Sequence, residues 1–427
     1  MMLKRVFFVA LVVAMALGCF SMAPDSARAA DPKITIANFG ALRFDPAVMI
    51  TNARFFRQHR IEVDVIEVPD TKIYEEISKS LALGETTFDV VNVNHYWMAD
   101  FIQAGFIAPI PDYPKDQWES FSPAVRGAFA ADGKVYASPQ WGNSRVLIYR
   151  KDYFKAAGLD PNKPPKTWDE LVEVAKKLTV DKNKDGIIDQ WGFYYAGGRP
   201  EFGMETYLQY LYASGGRMYD DKGKCIVNSE EGIAALQFLT DLRNKHKVVP
   251  GGVADYVEGD NWDAIINGIS AMTIDEPMIL FNTVKKNGQE NVGAAMYPVR
   301  DPNHPNWGGI AVMCGFSVNS NSKNKEAAAK YAINYGTYLA QKTEIVDEGN
   351  IATIPAVFDD PDVKKAGIIG PYVDVIKASV SRSIAERWPR YKETEDIMAK
   401  AILSAILDKE SAKASLDKAA KQINALQ

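Results

Sequence analysis

The residues of this 427-residue chain that carry chemical potential are few and scattered. Asp181, Asn183, Asp185 and Asp189 occupy positions one, three, five and nine of a loop that has Gly186 at position six. That is the spacing of the first part of an EF-hand, where several oxygens converge on a hard cation and glycine makes the sharp turn. Position twelve is Gly192 in place of the bidentate Glu, so the loop reads either as a structural calcium site or as a metal-free polar turn. Asp275 and Glu276 adjoin at the end of an apolar run, just before Pro277. Paired carboxylates serve glycosidases, but neighbours on an extended segment point apart, and the pair is expected in a surface turn. His59, His95, His246 and His304 lack the spacing of a zinc site. There is no G-x-S-x-G, no H-E-x-x-H, no Walker loop and no G-x-G-x-x-G after the first strand. No catalytic residue is assigned, and the chain is read as a non-enzyme. A secreted glycoside hydrolase or lyase is the alternative from another class.

Aromatic residues offer more, with 8 Trp, 19 Tyr and 19 Phe. Several stand in polar or turn-like surroundings: Tyr96-Trp97, Trp141-Gly142-Asn143, Trp307-Gly308-Gly309 and Trp388-Pro389-Arg390-Tyr391. An aromatic face is a rigid apolar platform on which the C–H face of a sugar ring stacks while amides and charges meet its hydroxyls. A formal charge of −5 and the lack of any Lys/Arg run argue against nucleic acid as a partner, because phosphate binding requires a basic surface. Hydrophobic residues at 47% and charged residues at 24% fit an ordinary globular protein of two or three domains.

The elements that position these residues begin after an export leader. Lys4 and Arg5 precede an apolar stretch over residues 6–20, and Ala27-Arg28-Ala29 forms a small-residue cleavage site, the pattern of a signal peptide over residues 1–29. Cys19 only partly fits a lipoprotein box, so secretion to the periplasm or exterior is expected in preference to lipid anchoring. No later segment reaches membrane length, and the mature chain is expected to be soluble. Residues 33–37, 62–68 and 88–93 read as strands separated by helices over 47–59 and 71–83, which implies βαβ units and a mostly parallel sheet. Thr167 and Glu170 form a capping box ahead of an apolar stripe, and Asn228 with Glu231 has cap spacing ahead of another. Buried strands are expected over 271–274, 292–297 and 310–318, and helices over 325–341 and 394–426, the last broken near 409–411. Cys314 sits in one of these strand-like runs, where a lone Cys is usually a small core residue.

Four blocks in fixed order carry a family likeness: Asp132-Gly133-Lys134-Val135-Tyr136-Ala137-Ser138-Pro139, then Val146 through Phe154, then Ala157-Gly158-Leu159, then Pro165-Lys166-Thr167-Trp168-Asp169-Glu170-Leu171. In this series the chain resembles the family 1 extracellular solute-binding proteins, the sugar receptors of ABC importers of the maltose-binding type. It departs from them at Arg150, where Asn is usual, and at Met278, where the maltose receptor has a stacking Trp. The resemblance implies an α/β protein with the type II periplasmic-binding-protein fold: two lobes of mostly parallel sheets flanked by helices, with the ligand in the cleft between them. It places lobe 1 at residues 30–140 with 298–340 and lobe 2 at residues 141–297 with 341–427. Carried over by position, lobe 1 would contact ligand through Phe39, Arg43, Asn94, His95, Tyr96, Trp307 and Gly308. Lobe 2 would do so through Trp141, Asn143, Arg199, Glu201, Phe202, Glu276, Trp388 and Tyr391.

The function so implied is that of a monomeric receptor that delivers a sugar or short oligosaccharide to a membrane permease, with no cofactor beyond the calcium ion that the Asp181 loop suggests. Arg43, Arg145, Arg199, Arg387 and Arg390 fall in the expected cleft or hinge segments. Because Arg grips carboxylate and phosphate with two donors, an anionic ligand such as a uronate, a sialic acid or glycerol phosphate is the alternative within the same fold. The opposing reading pairs these Arg side chains with nearby Asp and Glu. A role in signalling instead of transport leaves the same sequence.

Overall fold

A computed structural model describes residues 31–39, 46–69, 72–198, 200–347, 349–384, 386 and 388–426. The leader and Cys19 lie outside them. The strands Lys33–Phe39 and Glu62–Val68 pair in parallel from Lys33 opposite Glu62 to Phe39 opposite Val68, and Val90–Asn94 joins the other side of the first strand, also in parallel. The helices Pro46–His59 and Ile73–Ala82 make the crossovers, as the alternating pattern predicts. Next to Val90–Asn94 lies Gly309–Asn319, antiparallel to it and buried at every position, which is why this run reads as continuously apolar. Ala137–Ser144 pairs with it, also antiparallel.

The second sheet has three strands, with Val146–Arg150 at its centre. Met272–Asp275 and Val292–Ala295 are both antiparallel to that centre. These two outer strands run the same way and are linked by the helix Pro277–Asn287, but another strand lies between them, so each of their ladders is antiparallel. The expectation of mostly parallel pairing therefore holds for the N-terminal βαβ units and for the short strand Ser383–Ile384 against Gly309–Asn319, while the other ladders described are antiparallel. One residue, Arg145, separates Ala137–Ser144 of the large sheet from Val146–Arg150 of the small one. The chain passes from one half to the other at that point.

Local rules hold where the motif is strong. Thr167 Oγ1 accepts the Glu170 N–H at 3.3 Å while the Glu170 carboxylate accepts the Thr167 N–H at 3.3 Å, and the helix Trp168–Leu178 buries Leu171, Val172, Ala175 and Leu178. The cap of Glu230–Asn244 is Ser229, one residue later than expected, and the amide of Asn228 is spent on Asp417. The expected helix over 325–341 is two, Lys325–Tyr335 and Tyr338–Asp347: Gly336 closes the first, and Thr337 Oγ1 accepts the Ala340 N–H at 3.4 Å to start the second, which the Gln341 side chain then ties to the carbonyls of Pro139 and Gln140. The C-terminal pair, Tyr391–Ile406 and Ala412–Asn424, breaks where anticipated, with Ser411 as the second cap. Cys225 and Cys314 are buried and neither is part of a disulfide among the described residues. Among the described residues no helix is long and apolar enough to cross a membrane.

Candidate ligand-binding cleft

At the crossover the sequence puts a charged residue beside a strand whose five residues are all buried, and a buried charge must find a partner. Arg145, 7% exposed, donates to Glu205 Oε2 at 2.6 Å and lies 3.6 Å from Asp275 Oδ1. Glu205 comes from the helix Pro200–Ala213, and Asp275 ends the strand Met272–Asp275. Glu276 follows directly, also buried, and accepts from the Asn143 amide at 2.5 Å. The surface turn expected for Asp275-Glu276 is therefore wrong: the strand is buried to its end, and Asn261 and Arg145 supply what Asp275 would otherwise take from water. Beside this cluster is a chamber of about 20 Å³, room for about one water, lined by Arg145, Phe202, Gln209 and Tyr210. The Gln209 amide nitrogen and the Tyr210 hydroxyl have no partner there among the described residues.

One guanidinium thus faces three buried carboxylates. Burial pushes Glu205 and Asp275 upward against the pull of Arg145, and it pushes Glu276 up to about 8. Glu276 holds its proton in the folded chain up to that pH and loses it near 4.5 when unfolded. Its stabilising contribution is full below the unfolded value and drains away as the pH rises to about 8. Glu276→Gln, neutral throughout, should lack that decline. Urea midpoints compared at about pH 5 and about pH 8 are expected to differ by up to roughly 3 kcal/mol in the native chain and by clearly less in the variant. An equally steep decline in the variant would place the proton on another member of the cluster.

A second wall is aromatic. Asn94 ends its strand and accepts the Tyr96 N–H at 3.1 Å, which starts the short turn His95–Trp97. His95, fully buried, accepts the Met313 N–H through Nδ1 at 3.3 Å and so fastens the turn to the strand Gly309–Asn319. Tyr96 then stacks on Trp388, with ring centroids 4.2 Å apart and planes 17° off parallel, and Tyr391 lies parallel to both at 5.9 and 6.0 Å. Trp388 and Tyr391 precede and open the helix Tyr391–Ile406, which packs on Pro200–Ala213. Asp100, on the helix Met98–Gln103, caps that helix from the opposite half: its carboxylate accepts the N–H groups of Arg390 and Tyr391, both at 2.8 Å. A carboxylate at a helix N-terminus is favoured by the helix dipole, and here it holds Arg390 at φ 53°, a left-handed conformation that costs a non-glycine residue about 1 kcal/mol.

Other expected contacts are placed less centrally. Phe39 ends the first strand, half-buried, 5.8 Å from the Trp97 ring. Trp141 is half-buried in the crossover strand opposite Cys314. Trp307 lies under the Arg382 guanidinium, 4.0 Å from its ring centroid, with its indole N–H directed to Pro302 O at 3.3 Å. Gly308 donates to Tyr212 O at 2.7 Å, and a Cβ there would come within 2.7 Å of the Arg382 carbonyl, so only glycine permits this approach. Arg43, Arg199 and Arg387 lie outside the described residues, as does the side chain of Glu201. In the Asp181 loop, Asp181 accepts the N–H groups of Lys184 and Gly186, Asp185 that of Ile187, and Asp189 that of Lys182. Among the described residues no three His, Cys, Asp or Glu side chains gather as a metal set. These carboxylates accept from the backbone N–H groups of their own loop.

Glu205, Asp275, Gln209 and Asp100 were not anticipated as parts of the site. Glu205 had a readable signal: it is a carboxylate flanked by Met204, Tyr207 and Leu208 in a helix with few other charges.

Two α/β halves joined at Arg145, with a charged wall and an aromatic wall drawn together from both, define a two-lobe ligand-binding receptor. The profile of the bacterial extracellular solute-binding proteins matches residues 45–339, and the chain belongs to that family. Among solved structures it is similar to maltose-bound MalE3 of T. maritima, with 29% identity, a TM-score of 0.80 and coverage of 92% of this chain and 100% of that one. It is also similar to the maltotriose binding protein of Thermus thermophilus bound with maltotriose, with 26% identity, a TM-score of 0.73 and coverage of 92% and 99%. A relative in Sinorhizobium fredii, named a probable amino-acid ABC transporter periplasmic-binding protein, is 24% identical over 82% of this chain and 78% of its own length.

Proposed function

We propose that this chain captures a neutral sugar or short oligosaccharide between its lobes and presents it, as a monomer and without catalysis, to the membrane permease of an ABC importer. The observation that carries this reading is the commitment of Arg145 to Glu205 and Asp275 beside the Tyr96, Trp388 and Tyr391 rings. An anionic ligand needs a cation to receive it. Among the described residues of the cleft, Arg145 is already outnumbered by carboxyl groups, and Arg390 is paired with Glu393. The same objection meets an amino-acid ligand, whose carboxylate needs a similar partner. Aromatic faces with amide and carboxylate acceptors suit hydroxyl-rich rings. The maltose and maltotriose bound to the two structural relatives support the same class.

In this reading, parting of the lobes separates Tyr96 from Trp388 and opens both rings to a sugar. Closure is then favoured only by the extra contacts the ligand makes in the closed state. Secretion through the residue 1–29 leader would put the receptor where such ligands arrive. Differential scanning fluorimetry against neutral sugars, polyols, uronates and phosphorylated polyols tests the assignment: neutral sugars are expected to raise the melting temperature. Shifts from acidic ligands alone would reverse it.

A further inference from the structure

The helix Tyr391–Ile406 breaks a local rule that several others keep. Thr167, Ser229 and Ser411 each cap the helix behind them with a side-chain oxygen. This helix starts after Arg390, whose side chain has donors only and so cannot accept from the opening N–H groups. Arg390 also takes a left-handed φ of 53°, and its guanidinium turns back to Glu393 of the same helix, Nε to Oε1 at 2.8 Å. The cap is supplied by Asp100 instead: Oδ1 accepts the Arg390 N–H and Oδ2 the Tyr391 N–H, both at 2.8 Å. Asp100 follows the strand Val90–Asn94 of the large sheet, whereas the helix it caps packs on Pro200–Ala213 in the other half. Tyr74, from the helix Ile73–Ala82 on the same side as Asp100, adds a ring contact to Tyr391 at 5.6 Å. A rule broken in one half and repaired from the other makes a device that works only while the halves touch.

We infer that Asp100 is a positioning residue for lobe closure, a latch that needs no ligand, engaged when the lobes meet and released when they part. On release the first turn of the helix loses its cap and Arg390 is free to leave the left-handed region. The backbone that carries Trp388 and Tyr391 is therefore fully set only in the closed state. The latch favours closure of the empty and the loaded chain alike, so it fixes how often the empty receptor is closed, and it raises affinity only to the extent that the empty chain rests open. The inference rests on the parting of the lobes in the reading above but not on the identity of the ligand.

Fluorophores on Glu76→Cys and Lys224→Cys, exposed positions on the two halves, read the latch in the mature chain without ligand, since Cys225 and Cys314 are buried. The otherwise native chain should show a short-distance population beside a long one. Asp100→Ala should lower the ratio of short to long about tenfold, equivalent to about 1.4 kcal/mol, within the range for loss of a helix cap. Asp100→Asn keeps one of the two acceptor oxygens and should fall between them. Melting temperatures of the same variants are the control, because a cap that serves the helix alone lowers them and leaves the distances where they are. An unchanged ratio in the alanine variant, or a native chain with no short-distance population, would overturn the latch. Neither result bears on the sugar assignment, which the fluorimetric panel tests by itself.

Discussion

Arg145→Ala is expected to destabilise the chain by about 3–5 kcal/mol, the cost of removing one partner from a buried ion cluster. The reason is the imbalance around it. Glu205 from one helix and the adjacent Asp275 and Glu276 at the end of one strand share this guanidinium, which is 2.6 Å from Glu205 and 3.6 Å from Asp275. Without it, Glu205 and Asp275 must take protons or stay charged in a site with little access to water, beside a Glu276 that is already protonated below about pH 8. The deficit relative to the native chain should therefore shrink in acid, where the carboxyls are neutral, and widen towards neutral pH. Adding Glu205→Gln to the variant should recover part of the loss, because one fewer buried charge is then left uncompensated. Urea melts of the single and double variants at two pH values measure both effects. A deficit that ignores pH and is not relieved by the second substitution would mean that Arg145 matters through packing alone. Since this residue also joins the two sheets, the cluster sets charge at the crossover itself.

Trp388→Ala should have the largest effect on binding. The indole is 1% exposed and stacks on Tyr96 at 4.2 Å, so its loss removes a fully buried aromatic side chain worth about 3–5 kcal/mol and a contact between elements of the two halves. If a sugar unit takes its place against this ring, affinity should fall about 100-fold, equivalent to about 2.7 kcal/mol. Trp388→Phe, which keeps a flat apolar face, should retain most of both quantities. Calorimetry with the best sugar from the fluorimetric panel, read alongside the melting temperature, separates the two effects. Unchanged affinity in a destabilised alanine variant would assign the stack to stability only and move the ligand elsewhere in the cleft.

Much of the fold is legible in the sequence because it depends on near neighbours. The Thr167–Glu170 box needs only three residues of separation, and the apolar stripe behind it needs only the helical repeat. The first two strands could be read because their side chains alternate in a short run, and the C-terminal helix break because Ser411 caps the second helix of the pair. The order of the family blocks disclosed the architecture as a whole. Sequence reasoning failed where a residue's surroundings come from far along the chain. Asp275-Glu276 looked like a turn because the proline after it is a local feature, whereas Arg145 and Asn143, more than a hundred positions away, bury both carboxylates. Asn228 had cap spacing and lost the role to Ser229, its amide being drawn to Asp417 far along the chain, whereas the division of the helix expected over 325–341 is local, at Gly336 and the capping Thr337.

The cleft divides in the same way. Its residue types, rings and amides in turn-like surroundings at strand ends, were visible as composition and spacing. Their pairing was not: Tyr96 meets Trp388, and Asp100 meets Tyr391, across nearly three hundred residues. The sequence by itself determined which segments coil or extend and which side chains offer stacking faces or charge, because propensity, capping and periodicity act within a few residues. Tertiary structure alone decided which carboxylates surround Arg145 and which rings lie together, since burial and Coulomb energy depend on distance in space.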